Sequence, residues 1–240
     1  MDFYHVLPSN TSSNYFPNNN ASQYSTPLNN PYVLSGNWEV GLMNLTYSTC
    51  VNTFNNDRIV VEEEKRTTKI ITLPPVSFEK ESEAIRFINE KVNDKRITFS
   101  CNATKHVTLN ITDQTLKITF DDTLRDIFAF DQNTYSGALT CEASDLFSLN
   151  RRIQYLYIYS NITDFVRVGN TEATLLGIVP FLKEKGCSLF KERIFKSPMY
   201  IRVIRDHISQ IDIAIYDGAG QLVPFVNNSV TSLRLHFRQI

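Results

Sequence analysis

The sequence lacks an excess of charge of either sign. Its 240 residues include 24 Lys and Arg and 25 Asp and Glu, which gives a formal net charge of −1. A protein surface that holds a nucleic-acid backbone needs a surplus of Lys and Arg to neutralise phosphates. We therefore expect no direct contact with nucleic acid.

Long apolar segments are also missing. No stretch approaches 18 consecutive apolar residues, so we expect no membrane span. The first ten residues, MDFYHVLPSN, combine neither a basic nor an apolar region, and we expect no secretory signal. Hydrophobic residues still make up 42% of the chain. This content and length fit one large β domain, or one domain with a smaller lobe.

Cysteine and histidine are few and far apart in the sequence. The cysteines are Cys50, Cys101, Cys141 and Cys187, and the histidines are His5, His106, His207 and His236. No two cysteines form a CxxC pair, and without a secretory signal we interpret them as reduced, mostly buried thiols. A zinc site needs several such ligands at short spacing. We expect no metal and no cofactor.

Catalytic motifs are absent as well. The chain has no GxSxG and no GxxxxGK[ST] phosphate loop. Residues 217–220 (DGAG) join two predicted strands and do not open a helix, which favours a hairpin turn over a phosphate site. Asp206, Asp212 and Asp217 could form an acid–base pair, but Asp212 lies opposite a row of isoleucines, which indicates a solvated face. We predict no catalytic residues and no enzyme.

What the sequence has is alternation of apolar and polar residues. Residues 34–47 predict a strand with Trp38, Val40 and Leu42 on one face. Residues 231–238 alternate most sharply, with Leu233, Leu235 and Phe237 pointing inward and Arg234, His236 and Arg238 outward. Further strands are predicted near 59–61 and at 67–73, 197–204 and 211–215.

Residues 152–160 are apolar on both faces, which predicts a strand buried inside a sandwich. Its row of Tyr155, Tyr157 and Tyr159 resembles a platform for stacking bases. Because no basic residues are interleaved with the row, we interpret it as core or as a subunit interface.

Two polar segments are predicted to be irregular. The first forty residues are rich in loops, and the Asn-rich stretch 9–30 is a candidate inter-subunit arm or a flexible surface tail. Residues 62–66 (EEEKR) predict a solvated turn between two strands.

Residues 77–149 predict a compact α+β lobe. Its elements are a helix over 78–93, strands at 96–101, 106–111 and 115–120, and a short helix with Leu124, Ile127 and Phe128 that Asp121 or Asp122 caps. About eight strands remain outside it. We therefore predict a mainly β protein, a single jelly-roll β-sandwich (1–76 and 150–240) with a small inserted α+β lobe.

Several short motifs resemble one family when they are taken in order. They are FYHVLPSN (3–10), YFPN (15–18), LSGNWEVGL (34–42), FIN (87–89), YLYIY (155–159), VGNTEATLL (168–176), YDGAG (216–220) and LRLHFR (233–238). Together they are similar to minor capsid (penton) proteins of Polinton/Maverick elements and adintoviruses, which are related to virophage penton proteins. The likeness covers nearly the whole chain.

The resemblance implies a structural viral protein without catalytic residues. Its members are single jelly rolls that form homopentamers at the five-fold vertices of an icosahedral shell. The expected partners are other copies of the chain and a double jelly-roll major capsid protein. The expected location is the virion, after synthesis and assembly inside the host cell.

Of three other functions, the first fits the sequence best. A spike-like or lectin-like β-sandwich could bind a receptor or glycan through exposed aromatics such as Tyr24 or Tyr32. A cupin-type enzyme would need a His-rich metal set, for which the histidines are too few and too scattered. A double jelly-roll major capsid protein would need roughly twice this length.

Overall fold

The computed structural model describes residues 1–63, 67–149, 153–182 and 189–240. The chain divides into two compact units, Met1–Val51 with Ile153–Ile240, and Asn52–Arg152. We call them the sandwich unit and the middle unit. Within the described residues, no helix has both the length and the apolar character to cross a membrane.

The elements follow one another in chain order. The sandwich unit begins with β1 (Asp2–Pro8), β2 (Gln23–Val33) and β3 (Trp38–Ser48). The middle unit holds β4 (Asp57–Glu63), β5 (Thr67–Leu73), α1 (Glu81–Val92), β6 (Ile97–Cys101), β7 (Val107–Ile111), β8 (Leu116–Phe120), α2 (Asp122–Phe128), β9 (Thr134–Ser136) and β10 (Leu139–Glu142). The sandwich unit resumes with β11 (Tyr155–Ser160), β12 (Val166–Val168), β13 (Thr171–Ala173), β14 (Leu175–Pro180), β15 (Phe190–Ile194), β16 (Tyr200–Arg202), β17 (His207–Tyr216) and β18 (Ser232–Gln239).

The strand order of the sandwich unit is that of a jelly roll. One sheet runs β1-β18-β3-β15, with β16 also paired to β3, and the other runs β14-β11-β17-β2. Among the strands that the structure describes, β12 and β13 pair only with each other, as a separate hairpin. Counting β15 and β16 as one, the first strand therefore pairs with the eighth, the second with the seventh, the third with the sixth and the fourth with the fifth. This nesting of antiparallel pairs over two sheets defines the jelly roll, and the predicted fold class is confirmed.

The two sheets share one apolar core. Side chains from both contribute to it, among them Leu45, Leu235, Leu156 and Ile213. Trp38 is 5% exposed, as its predicted face requires, and its Nε1 donates to the Ser35 carbonyl at 3.1 Å.

A bulge shifts the inward face of β3. Leu42 pairs with Leu235, but the next pair along β18 is Arg234 with Asn44, so Met43 has no partner there. An extra residue in one strand reverses the alternation beyond it. Leu45 and Tyr47 are therefore buried.

Strand β11 is not buried on both faces, so that prediction is wrong. Leu156, Ile158 and Ser160 point into the core, whereas Tyr155 is 45% exposed and Tyr157 and Tyr159 are half-buried. The outer face of β11 is aromatic although it lies at the surface. Apolar composition on both faces therefore did not indicate burial on both.

The prediction of a loop-rich start is also wrong. β1 pairs with β18 over its whole length, and β2 pairs with β17. The candidate arm 9–30 thus includes most of an ordered strand. Before that strand the Asn-rich segment is held by its own side chains, since Asn19 exchanges two hydrogen bonds with the backbone of Ser25 and Asn20 accepts from the Ser22 and Gln23 amides.

The middle unit is an α+β structure with its own core. Its sheets run β5-β4-β8-β9 and β10-β7-β6. Its core residues form a cluster separate from that of the sandwich unit. Both predicted helices are present, and the Asp121 side chain caps α2 by accepting from the Leu124 amide at 2.8 Å.

The units differ from the predicted domain boundaries. The prediction assigned 1–76 to the jelly roll, but β4 and β5 lie in the middle unit, where β4 pairs with both β5 and β8. Strand-like composition does not show which sheet a strand joins, and this caused the difference. Part of the predicted turn at 62–66 lies outside the described residues.

Candidate assembly surface

The outer side of the β14-β11-β17-β2 sheet carries an aromatic face. Cross-strand pairs join Tyr157 to Ile178 and Tyr216, and Tyr159 to Ala214. We call the following set the tyrosine face: Gln23, Ser25, Tyr155, Tyr157, Tyr159, Ile178, Pro180, Asp212, Ala214 and Tyr216. All of these point away from the core because they alternate with buried residues or pair with residues that do.

The tyrosine hydroxyls of this face are free to bind. In the part of the chain that the structure describes, no hydrogen bond reaches the hydroxyls of Tyr155, Tyr157, Tyr159 and Tyr216. Tyr159 and Tyr216 pack edge to face, with ring centroids 5.4 Å apart. Burial raises the pKa of Tyr159, and Tyr157 and Tyr216 add to this effect. The Tyr159 hydroxyl is thus neutral and able to donate.

A shallow groove crosses the face beside these rings. It has a volume of about 470 Å³ and is lined by Tyr159, Tyr216, Gln23 and Asp212, among others. Ala214 lies between Tyr159 on β11 and Gln23 on β2, because all three occupy one cross-strand row. The small Ala214 side chain leaves room between the aromatic and the amide side chain.

Asp212 is the only charged member of the tyrosine face, and local groups satisfy its carboxylate. Asn161 Nδ2 donates to Oδ2 at 2.9 Å, Gln210 Nε2 donates to Oδ1 at 2.6 Å, and the Asp212 amide donates to Asn161 Oδ1 at 2.9 Å. Asp212, which was predicted to lie on a solvated face, is half-buried. These hydrogen bonds hold the carboxylate in place, which favours a structural role over a catalytic one.

The other candidate acids are not brought together with Asp212. Asp217 is buried, and its Oδ1 accepts the amides of Ala219 and Gln221, each at 2.9 Å. These bonds close a turn in which Gly220 adopts φ +74°, a conformation that glycine takes without strain. The turn predicted at residues 217–220 is present. Asp206 contributes its backbone carbonyl to the Leu34 amide.

The outer side of the first sheet is different, because its polar groups pair with one another. His236 bonds to the Tyr200 hydroxyl through Nδ1 at 2.7 Å and lies 3.3 Å from Asp2 through Nε2. Arg238 pairs with Glu39 at 2.7 Å and lies over the Tyr200 ring at 3.6 Å. The predicted outward direction of His236 is right, but these neighbours leave it only 9% exposed.

A second groove lies in the middle unit between α1 and the edge strand β6. It measures about 910 Å³, and Lys105 and Glu81 form an ion pair at 2.7 Å on its lining. Cys101 also lines it. Burial, together with Glu81, raises the pKa of Cys101, so the thiol stays protonated and is a weak nucleophile.

The remaining predicted residues occupy separate places. Tyr24 is buried and donates its hydroxyl to the Leu7 carbonyl, and Tyr32 packs on Phe3 and Phe237. Neither tyrosine presents the open ring that a glycan platform needs. Among the described residues, no group of three or more His, Cys, Asp or Glu is placed to hold a metal ion.

The cysteine thiols were predicted to be mostly buried, but those that the structure describes are only partly buried. Cys50, Cys101 and Cys141 are free and half-buried. Cys187 lies outside the described residues.

Comparison with known proteins finds similarity among solved structures. No protein-family model matches the chain, and no curated protein matches it. Among solved structures, the crystal structure of the mavirus penton protein is similar over 100% of both chains, at 12% identity and a TM-score of 0.49. The jelly-roll assignment itself rests on the strand order of this chain.

Proposed function

We propose that this chain is a structural capsid protein, a penton subunit that forms homopentamers at the five-fold vertices of an icosahedral shell. The observation that supports this most is the eight-strand jelly roll, a fold that viral capsid domains use. The proposed role needs no cofactor and no catalytic residue. Its partners are other copies of the chain and a double jelly-roll major capsid protein, and its location is the virion.

The motifs behind the family resemblance occupy structurally linked positions. FYHVLP at the start of the chain forms β1, and LRLHFR near the end forms most of β18. The two strands pair in register, with Phe3 opposite Phe237 and Leu7 opposite Leu233. Motifs that are distant in sequence thus build one side of the sandwich together, which supports reading them as parts of one fold.

The mass of the purified protein in solution tests this proposal. We expect light scattering over a concentration series to give a species of five times the 27.6 kDa chain mass. A stable trimer would contradict the pentamer and favour a spike-like module.

Co-expression with a double jelly-roll major capsid protein tests the shell role separately. We expect the chain to enter the resulting particles in a minor, fixed ratio. Particles that form and exclude the chain would contradict the shell role, even if the chain alone is pentameric.

A further inference from the structure

The tyrosine face combines apolar area with a near absence of charge. Its one charged side chain, Asp212, is held by Asn161 and Gln210. Protein interfaces are depleted of charge at their centre and enriched in tyrosine. A second copy of this chain, whose net charge is only −1, could approach the face without strong repulsion.

Three of the four edges of the sandwich are poorly suited to association. Edge strand β1 ends in Pro8, β2 contains Pro27 and Pro31, and β14 ends in Pro180. Proline has no amide hydrogen to donate, so proline in an edge strand hinders the addition of a further strand. Copies of the sandwich are therefore not expected to associate by adding strands at these three edges.

The opposite outer face is a weaker candidate because its polar groups are already paired. Breaking the contacts of His236 with Tyr200 and Asp2, or of Arg238 with Glu39, would remove hydrogen bonds without replacing them. When the tyrosine face is covered, its hydroxyls exchange hydrogen bonds to water for bonds to a partner, and no hydrogen bond within the protein is broken.

The size of the tyrosine face limits the kind of assembly it can form. Four strands spaced about 4.8 Å apart, each contributing about 20 Å of length, give about 400 Å². A stable two-body interface buries about 800 Å² on each partner. One such contact is too small to hold two copies together. In a closed ring, however, each copy has two neighbours and the contacts reinforce one another.

We propose that the tyrosine face binds a different surface of the next copy of this chain, and that copies associate as closed rings without a stable dimer. This inference rests on the proposed function, and it adds which surface is used and how assembly depends on concentration. A face that met its own copy would give a two-fold pair and no ring.

Sedimentation velocity of purified variants tests the proposal. Tyr157 lies between Ile178 and Tyr216, so Tyr157→Lys places a charge at the centre of the face. Val6→Lys is the matched control, because Val6 is 49% exposed on the outer face of the other sheet. We expect the wild type and Val6→Lys to show monomer and ring with no dimer. We expect Tyr157→Lys to associate at least tenfold more weakly.

A second variant covers the case in which Tyr157→Lys does not fold. Tyr155→Lys alters the more exposed end of the same row, and thermal unfolding of each variant checks that the sandwich is intact. Tyr155→Lys should also weaken association relative to Val6→Lys.

Two results would overturn the inference in distinguishable ways. If folded tyrosine variants form the same rings as the wild type, the surface is wrong while the pentamer proposal stands. If the wild type stays monomeric at every concentration, the self-contact and the pentamer of the isolated chain both fail. Binding of neutral oligosaccharides to that monomer, lost in Tyr157→Lys, would assign the face to a glycan.

Discussion

Trp38 is a large side chain buried in the core of the sandwich unit. Its indole is 5% exposed and packs against Phe3 at a centroid distance of 5.7 Å. We predict that Trp38→Ala lowers the free energy of unfolding by about 3–5 kcal/mol, because the cavity is too large for its neighbours to fill. Urea denaturation measures the change. Tyr15→Ala, at a site that is 72% exposed, should change it by less than about 0.5 kcal/mol.

Gly41 leaves the space that the Tyr200 ring occupies. A Cβ at this position would lie 3.1 Å from Tyr200 Cδ1 and 3.2 Å from Pro198 Cβ. We predict that Gly41→Ala displaces the ring, weakens its bond to His236 and destabilises the protein by about 1–3 kcal/mol. Gly218→Ala is the matched control, since nothing lies within 4 Å of the added carbon there. Equal unfolding midpoints for both variants would show that the ring can move freely.

His5 links stability to pH. Burial lowers its pKa from the ordinary value, so the unfolded chain takes up a proton at a higher pH than the folded protein does. The free energy of unfolding should therefore decrease as pH falls below about 6.5, until the folded state is protonated too.

The test for His5 compares variants across pH. We predict that His5→Gln loses less stability between pH 7 and pH 5 than the wild type, measured as urea midpoints. His207→Gln, at an exposed histidine, should follow the wild type. A His5→Gln profile parallel to the wild type would show that other groups account for the acid sensitivity.

At the scale of elements, prediction succeeded where alternating or helically spaced apolar residues coincide with a buried face. Strands β6, β7 and β8, helices α1 and α2, and the faces of β18 all match within a few residues. β2 was missed because Pro and Asn weaken its strand signal, and β1 was missed because it was grouped with the polar residues that follow it. Pairing with β17 compensates for the weak signal of β2, and such a distant partner cannot be read from local composition.

The FIN motif at 87–89 has a structural explanation at this scale. Asn89 on α1 donates to the Phe99 carbonyl at 2.8 Å and accepts from the Phe99 amide at 2.9 Å. Its amide group thus takes the place of a neighbouring strand at the free edge of β6.

We predict that Asn89→Ala lowers the free energy of unfolding by about 1–3 kcal/mol, because two buried backbone groups lose their partner. Hydrogen exchange at the Phe99 amide should accelerate in the same variant. Glu90→Ala, which removes only an exposed pair with Arg86, should change stability by less than about 0.5 kcal/mol. Unchanged exchange at Phe99 would contradict the role of Asn89.

At the scale of the whole molecule, the candidate surface could be predicted only in part. The tyrosine row on β11 is visible in the sequence, and one of its two interpretations was a subunit interface. Its extent depends on which strands flank β11, since Ile178 and Tyr216 join the row through pairing with β14 and β17. Such pairings between distant segments are set by the complete fold.

The division of the chain into two units predicts that one of them can be produced as a separate fragment. Because the middle unit is continuous in sequence and has its own core, we predict that a fragment of residues 52–152 folds by itself. A cooperative thermal transition and dispersed amide resonances would support this. A fragment that stays unfolded would show that the middle unit needs the rest of the chain.

The nesting of the jelly roll has a consequence during synthesis on the ribosome. The first sheet is closed by β18, which lies between β1 and β3. Strand β1 can therefore pair with β18 only after more than two hundred further residues have been synthesised. All strands of the middle unit emerge well before that point. Because domains fold as units while the chain grows, we expect the middle unit to fold first, while the early strands of the sandwich unit still lack their partners.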